Sequence, residues 1–227
     1  HPTGVLAGLF LPWRPQTFAS LKSRNTVLSK FVKSNPAEAW KLLLALFPGR
    51  HGFVTVSGGP EFHDWKERAT ESNVSMPDYV DSVGRIVDLG IQLARQEPSR
   101  LVDLVSKIDD LSSEPRDRLL RLFAEFGRDG TLDETDSEAL WKELTSFIRR
   151  HREYSDSQWA LDEATLGSLD QVAELFKPAR REEQVSWLFD YPPELGDISR
   201  RDNYEEYDRE LQRRQTAAAE EVFAQSG

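Results

Sequence analysis

Apolar residues recur at helical spacing in segment after segment of this chain, and most segments open on a capping residue or a proline. After Asn35-Pro36, Trp40, Leu43, Leu44 and Phe47 fall at i, i+3, i+4 and i+7, and Pro48-Gly49 closes the run. Thr17 is placed to cap a segment reaching about residue 34, with Leu21, Leu28, Phe31 and Val32 on one stripe. Pro77 opens a segment through Gln96, and Pro98 opens another that carries Leu101, Leu104 and Ile108. Ser113 caps a third, with Leu119, Leu122, Phe123 and Phe126. Further helices are expected over about 136–152, 163–177, 179–189 and 203–224. The pattern predicts an all-α chain.

Apolar residues in the helices that begin near Pro36 and Pro115 recur at matching offsets: Trp40 with Leu119, Leu43 with Leu122, Leu44 with Phe123, Phe47 with Phe126. Stacked, irregular helical hairpins of α-solenoid type are therefore expected, with an irregular helical bundle as the alternative. One stretch breaks the pattern. Residues 48–65 carry β-prone Phe53, Val54 and Val56 and a Gly-Gly-Pro, and read as a long loop or small hairpin between helices. Phe53 is the candidate contact residue there.

The composition narrows the function classes. A chain with 38% hydrophobic residues, twelve Phe and six Trp has apolar groups that need burial, so it is globular. The absence of cysteine excludes disulfides, thiol nucleophiles and Cys-based zinc sites, and fits a cytoplasmic protein. The longest uncharged apolar run, residues 4–13, is too short to span a bilayer and contains Pro12, so no membrane association is expected. A net charge of −10 repels phosphate backbones, which disfavours nucleic acid except at local patches such as 149–152 and 209–214. The single methionine, Met76, and an opening His-Pro-Thr-Gly suggest one helical module, 1–227, cut from a larger protein, with a sub-boundary near 66–77.

Three features invite a chemical reading. Arg149, Arg150, His151 and Arg152 end the helix over 136–152. Cations in a last turn complement the helix dipole by roughly 0.3–1 kcal/mol each; the alternative is an anion-binding surface, and these four residues are the candidate binding residues beside Phe53. His51 and His63, with Asp64, flank the irregular loop and are lesser metal candidates whose spacing matches no compact zinc motif. In residues 123–136 an EF-hand register would use Glu125, Asp129 and Asp136, but Gly127 offers no oxygen at the third position. A helix stop at Gly127, a turn at Asp129-Gly130 and a cap at Asp133 or Thr135 explain that stretch without calcium. No nucleophile elbow, P-loop or dinucleotide fingerprint is present. The last helix is highly charged, with a thin stripe of Tyr204, Tyr207, Leu211, Ala218 and Val222; it reads as an outer helix or one whose other face meets a further part of the parent chain.

Four phrases together, LPWRPQT (11–17), NPAEAWKLLLALFPGRH (35–51), RRHREYSDSQWAL (149–161) and WLFDYPPEL (187–195), resemble helical-repeat regions of large, mostly uncharacterised bacterial multidomain proteins of NTPase and anti-phage-defence type. They are aromatic anchors and turns rather than catalytic signatures. The resemblance implies a sensor, scaffold or regulatory segment and transfers no functional residue. The expectation is a non-enzymatic interaction module without cofactor, whose partner is a protein or neighbouring domain. The alternatives are a metal-assisted hydrolase built on the His51–His63 loop and local nucleic-acid binding.

Overall fold

The computed structural model describes residues 2–13, 15, 17, 19–49, 74–190 and 193–225. Every regular element among them is helical: α1 (Pro2–Phe10), α2 (Leu21–Ser34), α3 (Pro36–Leu46), α4 (Met76–Gln96), α5 (Leu101–Val105), α6 (Ser113–Asp129), α7 (Glu134–Glu153), α8 (Glu163–Glu174), α9 (Arg181–Val185) and α10 (Tyr204–Gln225). Short 3₁₀ turns precede α5 and follow α9. The chain is all-α, as the periodicity predicts. His51, Phe53, His63 and Asp64 lie outside the described residues, as does most of the 66–77 stretch. No helix among the described residues is long and apolar enough to cross a membrane.

The chain forms two compact units, 1–119 and 120–227. In the first, α3 packs on α1, α2 and α4. Contact on several sides explains why its buried face is wider than one stripe: Leu42, Leu43 and Leu46 are fully enclosed, while Leu44, expected inside, is only half-buried. Each enclosed leucine contributes roughly 1.5–3 kcal/mol of apolar burial. Gly90 in α4 lets the Phe47 ring approach to 3.4 Å of where a Cβ would stand. Polar groups lock the same corner. The Trp40 indole N–H donates to Asp103 at 2.7 Å, and buried Arg100 donates to the Leu93 carbonyl at 3.2 Å while pairing with Glu97 at 2.6 Å.

Helix starts follow capping chemistry, with two differences from the sequence reading. The side-chain cap of α2 is Ser20, whose Oγ accepts the Ser23 N–H; Thr17 instead accepts the Ala19 N–H before the helix begins. Asn35 stands at the start of α3, but its side chain donates to Ser34, so the position caps through its backbone carbonyl alone. The helix α1 is not signalled by the sequence, because nine mostly apolar residues show no period that separates helix from strand.

In the second unit α7 packs on α8, and a separate core forms from Val185, Leu188, Leu195, Tyr207 and Ala218. Gly127 is not the stop of α6. The helix runs on to Asp129, and Gly130 takes the left-handed turn at φ +58°. Gly127 lies inside the helix because a Cβ there would stand 2.6 Å from the Leu175 Cβ. The EF-hand register fails for the same reason: residues 125–129 are helical where a calcium loop must unwind, and Asp133 accepts the Asp136 N–H as the cap of α7.

Candidate functional site

The last turn of α7 gathers one buried and several half-buried polar side chains. Helical geometry sends its four consecutive residues in four directions, about 100° apart. His151 points into the core and is fully buried. Its Nδ1 accepts the Leu161 backbone N–H at 3.1 Å, and its ring lies 4.3 Å from Phe147 and edge-on to Trp159 at 5.0 Å. It therefore pins the 154–162 turn to the helix, and Trp159, between His151 and Tyr154, closes that turn. Arg152 lies across α8, pairing with Glu163 at 2.7 Å and Asp170 at 2.6 Å. Those two carboxylates, Glu163 first, hold its guanidinium above the ordinary arginine range.

Arg149 is the least ordinary member. Its guanidinium carbon lies 3.7 Å from the centroid of the Trp187 ring. Burial lowers its pKa to about 10, although Glu194 and Asp190 favour the charged form. Gly196, at φ +83°, makes room for it: a Cβ there would meet the Arg149 backbone at 3.3 Å. Arg150 alone of the three arginines is exposed, and it flanks the Phe147 ring at 5.7 Å.

Next to this run, Glu153 and Glu194 form a carboxylate pair that the sequence reading did not single out. Burial raises the pKa of both. Glu153 accepts the Arg200 N–H at 3.4 Å, and the Glu194 charge raises its pKa further; Glu194 accepts the Ser146 hydroxyl at 3.3 Å and is opposed by Arg150 and Arg149. The Tyr207 hydroxyl donates to the Pro193 carbonyl, and burial raises that phenol and the one of Tyr154. These groups tie residues 193–200 and α10 onto α7. Within the basic run His151 and Arg152 are thus held by intramolecular bonds and Arg149 by its contact with Trp187, while Arg150 is exposed.

The second basic segment behaves alike. Arg213 and Arg214 pair with Glu210 at 2.5 and 2.7 Å, and Arg214 also reaches Asp197 at 2.5 Å. Together the two arginines hold the Glu210 carboxyl at about 2. Among the described residues no group of three or more His, Asp or Glu is placed to hold a metal ion.

No protein family, curated protein or solved structure matches this chain.

A different surface is open. Between α9 with its 3₁₀ turn and the C-terminal half of α10 lies an almost wholly apolar groove of about 430 Å³. Val185, Ala218, Ala219 and Val222 line it, and Phe189 and Phe223 stand on it with 58% and 78% of their surface exposed. Glu182 lines its edge, and Glu220 and Glu221 follow on α10. The sequence held a faint signal: Phe223 falls off the inward stripe of a highly charged helix, a place where a large aromatic has no core role.

Proposed function

We propose that the chain is a non-enzymatic helical interaction module whose docking face is the groove between Phe189 and Phe223, and that its occupant is an amphipathic helix of a protein partner. The observation that carries this reading is the exposure of two phenylalanines over a floor of small residues. Ala218 and Ala219 leave room for the knobs of an incoming helix, and exposed aromatics anchor such contacts. The carboxylate of Glu182 at the margin favours a partner helix with Lys or Arg beside its apolar stripe. The intramolecular contacts of Arg149, His151 and Arg152 support a scaffold role for that run. On this reading the module belongs to a larger bacterial, cytoplasmic protein whose chemistry resides in another domain.

A Leu/Lys amphipathic helical peptide is the test ligand. Saturable binding by the whole chain, abolished in Phe189→Ser/Phe223→Ser and kept in Val27→Ser, a change at an exposed residue of the first unit, is the expected result. The double variant should melt with wild type, because both side chains are exposed. A large loss of melting temperature would make them core residues, and unchanged peptide binding would place the docking face elsewhere.

A further inference from the structure

The net charge of −10 conceals a strong asymmetry. Residues 1–37 hold five Lys and Arg and no Asp or Glu. The structure folds part of that segment into α2, whose Lys22, Lys30 and Lys33 are exposed along one side of a groove of about 580 Å³ shared with α4. Arg85 of α4 lines the same groove, and its Nη2 donates to the Ser29 hydroxyl at 2.7 Å, which fixes the guanidinium beside the lysine row. Asp81 is the one carboxylate among the described residues of the lining. Among the described residues the three lysines enter no ion pair, whereas Arg149, Arg152, Arg213 and Arg214 all face carboxylates.

We infer that the α2–α4 groove binds the phosphodiester backbone of duplex nucleic acid without reading its sequence. The cations fit a polymer better than a compact ion. Lys22 and Lys33 are eleven residues apart on one helix, so their Cα atoms lie roughly 16 Å apart. A single phosphate cannot bridge that length, while a strand carrying a charge about every 3.4 Å of axis can. Asn25 and Thr26 lie between the lysines, and amide and hydroxyl groups interleaved with Lys and Arg are the usual contacts to phosphate oxygens. Among the described residues no aromatic side chain lines the groove for base stacking and Leu21 is the one large apolar group, which argues against single strands and against insertion into an acyl layer.

The experiment is fluorescence anisotropy of the whole chain with labelled duplexes of two unrelated sequences, from about 50 mM to about 200 mM salt. Wild type should bind both equally at the low end and weaken steeply with salt. The Lys22→Gln/Lys30→Gln/Lys33→Gln variant should bind at least about tenfold more weakly at about 50 mM, with the log–log salt slope lower by about 2–3. Arg85→Gln should give a smaller loss and Arg150→Gln none. Circular dichroism of each variant checks that the exposed substitutions leave the helices intact. The inference is overturned if wild type shows no duplex binding at about 50 mM, or if the triple variant keeps the wild-type affinity and slope. Tighter binding to polyglutamate or to phosphatidylserine vesicles than to duplex would assign the groove to another partner and overturn it equally.

Discussion

Arg149 lies over Trp187, the guanidinium carbon 3.7 Å from the ring centroid, and both side chains are half-buried. A partly desolvated pair of this kind is worth about 1–2 kcal/mol. A double-mutant cycle of Arg149→Met and Trp187→Leu by urea unfolding should therefore give a coupling energy of about 1–2 kcal/mol. Arg149→Lys should lose most of it, because an ammonium lacks the flat face that stacks. A coupling near zero would reduce the pair to simple packing.

Glu153 and Glu194 give a signed pH dependence. Burial raises the folded-state pKa of both carboxyls. The stability each contributes is full below the unfolded value of about 4.3 and is lost as pH rises through the folded value. Glu153→Gln and Glu194→Gln, which remain neutral, should thus unfold at higher urea than wild type at neutral pH, with the advantage closing as pH falls towards about 4. A variant less stable than wild type at neutral pH would show that the bonds to the ionised carboxylate outweigh its burial.

Two helical glycines should respond with opposite sign to the same change. Gly127→Ala puts a methyl 2.6 Å from the Leu175 Cβ and 3.1 Å from the Phe176 ring, and overpacking of that kind costs about 1–3 kcal/mol. Gly167→Ala, in α8, meets nothing within 4 Å, so it should stabilise by about 0.5–1 kcal/mol through helix propensity alone. Chemical denaturation of both variants checks the pair. Stabilisation by Gly127→Ala would mean that α6 and the 175–176 turn can move apart.

The sequence by itself determined what rests on neighbours within one or two turns. Apolar spacing marked most of the helices, and acidic first turns with a basic last turn framed α7. His151 continues the spacing of Leu144, Phe147 and Ile148 and is fully buried, although it stands in a run of cations. Only the tertiary structure decided what each residue meets across the fold. Arg24 is buried and donates to the Leu11 carbonyl at 3.2 Å, while Leu21 on the same helix stays half-exposed. Gly127 serves packing rather than a helix stop, and Arg149 finds Trp187. Local periodicity reports which face of a helix is apolar, but not which distant element covers it. Burial of a glycine face, an arginine or a carboxylate is fixed by that distant element, and so are the grooves left where nothing covers the helix.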